Sequence, residues 1–185
     1  MSDLLHCLLI DSSYPINTRN VKIVDTLNSF SNMFCSFITW NRDGRPINSK
    51  DKDSPIYNKK AGYGKLMKKL VSLIGYYRFL KCYNQKKMPE ILIASHWDML
   101  LLAILMKKNG QLLIYENLDI PTHENLWVLG ILRNIEKWAL KKADAIVFAS
   151  RFFADLYPDF DKPQFVLENK PLSVSSICEL KYGGL

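Results

Sequence analysis

His96 stands directly after an apolar run, residues 90–95, while Glu116 and Asp119 lie three residues apart just beyond a second run, residues 111–115. An imidazole in such a place can give, take or hydrogen-bond a proton, and two neighbouring carboxylates in an irregular loop can grip sugar hydroxyls or work as an acid and base pair. Each also has a plainer use. A loop histidine can simply orient the helix behind it, and Asp119 or Thr122 can cap that helix, because helix starts attract such residues. Glu116 has no comparable duty. Arg19, in the loop after the first apolar run, can hold a phosphate at a helix N-terminus or can be an ordinary solvated arginine. Other positions that follow apolar runs are Ser12, Ser13, Tyr14, residues 40–42, Asn117, Ser150, Arg151 and Asn169. His6 lies inside the first run and reads as a packed core residue; His123 precedes a helix and reads as solvent-facing.

Several chemistries have no motif to rest on. No Gly-x-Gly-x-x-Gly follows the first run and no Gly-x-x-x-x-Gly-Lys-Ser/Thr occurs, which removes dinucleotide and P-loop phosphate binding. A Gly-x-Ser-x-Gly elbow is missing too, and the three histidines share no zinc-ligand spacing, so no metal is expected. Cys7, Cys35, Cys82 and Cys178 lie far apart, which supports neither a zinc site nor a disulfide framework.

The elements that must position these groups follow from periodicity. Residues 4–10 form a buried strand that ends in the turn-forming Asp11-Ser12-Ser13-Tyr14-Pro15. Thr18 caps a helix on which Val21, Ile23, Val24, Leu27 and Phe30 share a face, and residues 34–40 form a second strand. Residues 41–58 read as a long polar loop. A basic helix follows with Leu66, Leu70, Leu73, Tyr77 and Leu80 on its apolar face. Residues 90–95 are a strand, followed by a helix running through Lys108 with two lysines in its last turn. After the strand at 111–115 comes a helix whose apolar stripe is Val128, Ile131, Leu132, Ile135, Trp138 and Ala139. Strands at 144–149 and 164–167, with a short helix capped by Ser150 between them, complete the pattern. Strands alternating with helices predict an α/β domain, a Rossmann-like doubly wound parallel sheet with helices on both faces. Such sheets bind ligands beyond the carboxyl ends of their strands, which gathers the strand-end residues above on one edge.

Charge is unevenly spread. Residues 54–89 carry nine basic side chains and no acid, which leaves the rest of the chain at −2 against an overall +7. A block of this kind faces something anionic. Lys65, Lys68, Lys69, Arg78 and Lys81, off the apolar face with Tyr76 and Phe79, suit a membrane surface on which the two aromatics insert. The plainer alternative is a solvated helix face. A nucleic-acid partner is not expected, since no nucleic-acid-binding motif is present. With 185 residues, 48% of them hydrophobic, the chain can bury a full core, and its longest apolar runs are far shorter than a membrane span. The first residues lack the pattern of a signal peptide, so a cytoplasmic protein at the inner face of the plasma membrane is expected.

Four segments together resemble the N-terminal, acceptor-side domain of a GT-B glycosyltransferase of the group 1 type, family four, whose members retain anomeric configuration. The most specific is Arg133 to Glu136, then Lys-Trp-Ala-Leu-Lys-Lys-Ala-Asp144, an apolar strand and Ser150, similar to the family's Arg and Glu helix, Ala-Asp, strand and Ser. Tyr14-Pro15 with Thr18-Arg19-Asn20-Val21 resembles its first loop, Tyr115-Glu116-Asn117-Leu118-Asp119-Ile120-Pro121 its Tyr-Asp/Glu, His-Asp, Pro segment, and Val166-Leu167-Glu168-Asn169 the strand before its interdomain linker. The likeness covers residues 4–171. It implies an active-site histidine at His96, or one earlier, where Ser95 stands. The family's glycine pair after the first strand is absent, and Leu118 replaces a usual histidine.

The resemblance implies one Rossmann-like domain over residues 1–172 and a linker or tail, 173–185, toward a donor-binding domain that the chain lacks. His96, Glu116 and Asp119 would then be catalytic, with Ser12, Ser13, Tyr14, Arg19, Ser95, Asn117, Arg151 and Asn169 touching substrate. No cofactor is expected; a nucleotide sugar would be the donor substrate, bound through the other domain. The acceptor would be a polyprenyl-linked or other glycan in surface polysaccharide assembly. The alternative is a non-catalytic, membrane-associated subunit that recruits a separate donor-binding chain.

Overall fold

The computed structural model describes residues 4–52, 54–61, 66–120, 124–158 and 160–168. Its centre is β1 (Leu5–Asp11), whose residues alternate between two buried faces: Leu8 and Ile10 on one side, Cys7 and Leu9 on the other. A strand that is apolar on both faces must sit inside a covered parallel sheet. The other strands are β2 (Met33–Trp40), β3 (Ile56–Tyr57), β4 (Ile91–Ser95), β5 (Leu112–Asn117), β6 (Ala145–Phe148) and β7 (Gln164–Val166). All pair in parallel, in the order β3-β2-β1-β4-β5-β6-β7. The order reverses between β1 and β4, the point at which sheets of this kind let the loops at the carboxyl edge diverge around a crevice.

α1 (Thr18–Asn28) covers one face, where Val24 packs with Cys7, Leu9, Cys35 and Ile93. The other face carries α2 (Leu66–Lys87), α3 (Trp97–Met106), α4 (Leu126–Leu140) and the single-turn α5 (Arg151–Ala154), over a core that includes Leu8, Trp40, Tyr76, Leu100, Tyr115 and Phe148. The expected Rossmann-like α/β sheet with helices on both faces is therefore the observed one.

Local details depart from the expectations. Asn17, and not Thr18, caps α1, its side chain accepting from Arg19 N. α3 stops at Met106, so Lys107 lies past the helix, where its Nζ reaches Asp144 Oδ2 at 2.6 Å. β5 runs on to Asn117, which puts Glu116 in a strand and not in an irregular loop. The long loop contains a 3-10 turn at Ser49–Asp51 and the edge strand β3.

Two helix faces are also rotated from their expected setting. On α2, Tyr76 is fully buried: its ring lies 5.5 Å from Tyr57 and 5.2 Å from Trp40, and its hydroxyl donates to Asp11 O at 2.9 Å. A tyrosine supplies apolar area with a polar tip, and the end of β1 offers that tip an acceptor. Phe79 packs half-buried against Tyr57. Tyr76 is therefore not available to a membrane. Arg78 and Lys81 are exposed; Lys68 and Lys69 are placed on α2 by backbone alone, and Lys65 lies outside the described residues. On α4, only Val128, Leu132 and Ala139 of the expected stripe turn inward, while Ile131, Ile135 and Trp138 are exposed and Glu136 is buried.

Candidate functional site

The site begins at the end of β1. Asp11 is fully buried and accepts four hydrogen bonds: from Ser13 N at 2.9 Å, Ser13 Oγ at 2.8 Å, Asn17 N at 3.1 Å and Asn20 Nδ2 at 2.7 Å. A carboxylate that gathers nearby backbone donors fixes a turn, here the loop from Ser12 into α1. α1 then carries Arg19 inward. Arg19 Nε donates to Glu116 Oε1 at 2.7 Å, with side chains 7% and 1% exposed, and Arg19 Nη2 has no partner among the described residues.

Ser95, at the end of β4, stands between the two halves. Its Oγ lies 2.6 Å from Glu116 Oε2 and 3.2 Å from Asn20 Oδ1. A hydroxyl has one proton to give, and the shorter, charge-assisted bond to Glu116 takes it. β1, α1, β4 and β5 are thereby joined at one edge of the sheet by Asp11, Asn20, Ser95, Glu116 and Arg19. His96 follows on the same edge, with its N donating to Glu116 O at 3.3 Å. Its backbone is at φ 74°, ψ 154°, a region that essentially only glycine occupies without strain. The ring is half-buried, and Nδ1 lies 3.8 Å from Oδ2 of exposed Asp119. Asp119 does not cap α4; Asn125 does, accepting from Trp127 N.

The remaining candidates divide. Tyr14 is buried, and its hydroxyl is occupied: it donates to Asp51 Oδ2 at 2.8 Å and accepts from Asn48 N at 3.0 Å, bracing the long loop against the first one. Ser12 is buried and Ser13 half-buried beside Asp11. Asn117 is fully buried on the opposite face of the sheet from Glu116, as alternation along a strand demands, and its Nδ2 donates to Tyr157 OH at 3.1 Å. It is not brought to the crevice. Arg151 stands apart at the end of β6, exposed and paired with Glu168 at 2.8 Å. Asn169, His123 and Thr122 lie outside the described residues.

Asp11, Asn20 and Glu136 are buried polar positions that the sequence reading does not single out as site candidates. For Asp11 the signal was there, an aspartate closing an apolar run before serines and asparagines. Glu136 is the only acid of α4, and it is buried among Tyr115, Tyr157 and Asn117, accepting from Tyr115 OH at 2.7 Å. Burial pushes its carboxyl above the ordinary value, partly offset by hydrogen bonds from Tyr115 and Tyr157. No group of three or more His, Cys, Asp or Glu side chains among the described residues is arranged to hold a metal.

The all-parallel strand order with its reversal between β1 and β4 defines a Rossmann-like α/β domain, the kind of domain that forms one half of a GT-B fold. Solved structures bear this out. The chain matches the lipopolysaccharide outer core galactosyltransferase WaaB at 12% identity and TM-score 0.61, covering 93% of this chain and 47% of that one. Sucrose-phosphate synthase from Thermosynechococcus elongatus matches at 12% identity and TM-score 0.64, over 89% and 48%. The UDP-N-acetylglucosamine 2-epimerase from Rickettsia bellii matches at 10% and 0.59, over 88% and 44%. The chain thus spans about half the length of these proteins. No protein-family model matches the sequence, and no curated protein matches it.

Proposed function

We propose that the chain is the acceptor-binding half of a retaining, family-four-type glycosyltransferase that adds a sugar to a membrane-held, polyprenyl-linked glycan in surface polysaccharide assembly at the cytoplasmic face. One observation carries this reading: Arg19, Ser95 and Glu116 form a rigid, ion-paired floor at the β1/β4 reversal, with His96 held above it in a strained backbone and Asp119 beside it. Glu116 is ion-paired with buried Arg19, and Asp119 lies exposed beside the His96 ring. A carboxylate so placed accepts well from the neutral hydroxyl groups of a sugar.

In this reading His96 and Asp119 contact the acceptor sugar, and Glu116 acts through Arg19 and Ser95 to fix the crevice. The nucleotide-sugar donor is held by a second Rossmann-like domain, and reaction needs both reactants in near-attack geometry between the halves. Catalysis by this chain alone is accordingly not expected. Saturation-transfer NMR with neutral methyl glycosides tests the acceptor role, with binding expected for the parent chain and lost in His96→Ala. Calorimetry with UDP- and GDP-sugars tests the donor assignment, and micromolar binding by this chain alone overturns it. That outcome, without glycoside binding, would favour a second reading, half of a nucleotide-sugar epimerase, which the similarity to the 2-epimerase fold supports.

A further inference from the structure

α4 presents three distinct faces. Val128, Leu132, Glu136, Ala139 and Leu140 turn toward the sheet. Trp127, Ile131, Ile135 and Trp138, spaced four, four and three, form an apolar row that is exposed to solvent, with Trp127 83% and Trp138 53% accessible. Arg133, Lys137 and Lys141, spaced four and four, form a third, basic row, also exposed. Residues three and four apart share a helix face, so each row is continuous. The only acid of the helix, Glu136, is the one that is buried.

An uncovered apolar row of this length on a soluble surface marks a contact surface. Two tryptophans in it, a flanking basic row and no exposed acid are the composition of a helix that lies in a membrane interface. A protein partner would need its own acidic rim; an anionic bilayer supplies that charge everywhere. The placement fits as well. α4 runs antiparallel to β5 and β6, so its first turn, with Leu126 and Trp127, begins at the sheet edge where His96 and Glu116 lie.

We infer that α4 is the membrane-docking helix of this protein, with Trp127, Ile131, Ile135 and Trp138 inserted among the lipids of an anionic leaflet and Arg133, Lys137 and Lys141 meeting their phosphates. This deepens the reading above, since it brings the crevice mouth to the surface where a lipid-linked acceptor is held, and it moves the contact from α2 to α4.

Co-sedimentation with phosphatidylcholine vesicles, with and without phosphatidylglycerol, tests it on the full chain. Binding should rise about tenfold or more with the anionic lipid and fall as salt is raised. Trp127→Gln/Trp138→Gln should lose most of it, and so, independently, should Arg133→Gln/Lys137→Gln/Lys141→Gln, which serves if the first variant misfolds. Arg78→Gln/Lys81→Gln on α2 should bind as the parent does. Brominated lipid should quench the parent's tryptophan emission and leave the Trp127→Gln/Trp138→Gln variant unquenched. Unchanged vesicle binding in both α4 variants overturns the inference. So does a concentration-dependent dimer in solution that the tryptophan variant abolishes, since a second copy would then own this face. Glycoside binding lost with vesicle binding intact would overturn the acceptor reading alone, and the reverse result would overturn only the docking helix.

Discussion

Arg19 Nε lies 2.7 Å from Glu116 Oε1 across 97 positions of sequence, and the pair is almost wholly shielded from water. The contact ties the first turn of α1 to the end of β5. Removing one partner strands the other charge in a low-dielectric site, which typically costs about 3–5 kcal/mol. Glu116→Leu and Arg19→Met should each destabilise the chain by that order in urea unfolding, and the double variant should recover most of the loss. Single effects that simply add would show that the two charges are solvated independently.

His96 occupies a backbone region that costs a non-glycine residue about 1–3 kcal/mol. His96→Gly should therefore be more stable than His96→Ala, and at least as stable as the parent, while both lose glycoside binding. Equal midpoints for the glycine and alanine variants would mean that this backbone is not held in the strained region.

The buried Glu136 gives a pH dependence of definite sign. Its folded pKa is raised, so between the unfolded value near 4.5 and the folded value the native state binds more protons than the unfolded chain. Stability from this group is fully present below that window and declines as pH rises through it. Glu136→Gln keeps an acceptor for Tyr115 OH and removes the titration. Its thermal midpoint should change less between pH 5 and pH 8 than the parent's, pH values chosen at roughly the edges of the usual stability range. A parent and variant with parallel pH profiles would sink this account.

Gly75 lies inside α2, where alanine is ordinarily better by about 1 kcal/mol. A Cβ there would run into the Tyr57 hydroxyl, and Tyr57 is stacked on Tyr76 and packed against Trp40 and Phe79. Moving that ring disturbs a packed aromatic cluster, at a cost of about 1–3 kcal/mol. Gly75→Ala should be net destabilising by chemical denaturation, whereas Tyr57→Phe/Gly75→Ala should recover part of the loss. A stabilised single alanine variant would show that the ring yields freely.

Much of this architecture was legible from local pattern. The runs that became β1, β2, β4 and β6 were apolar enough to be strands in any packed setting, and the turn chemistry after Asp11 and the serine at 150 marked where strands stop and helices begin. The prediction that ligand groups gather at the carboxyl edge needed only the alternation of strands and helices. Asn117 shows the limit of that argument. It follows Glu116 at the same strand end, yet alternation sends it to the other face of the sheet.

What residue types and periodicity determined, then, was the order of the elements, the parallel sheet and the edge that holds His96, Ser95 and Glu116, because hydrophobic period and turn preference act over a few residues. Which side of each helix meets the sheet was decided only by tertiary packing. Tyr76 went inward because the end of β1 offers its hydroxyl an acceptor, and Glu136 went inward because Tyr115 stands across from it to donate. With Glu136 inward, Ile131, Ile135 and Trp138 of the same helix turn out to solvent, although their residue types alone would assign them to the core.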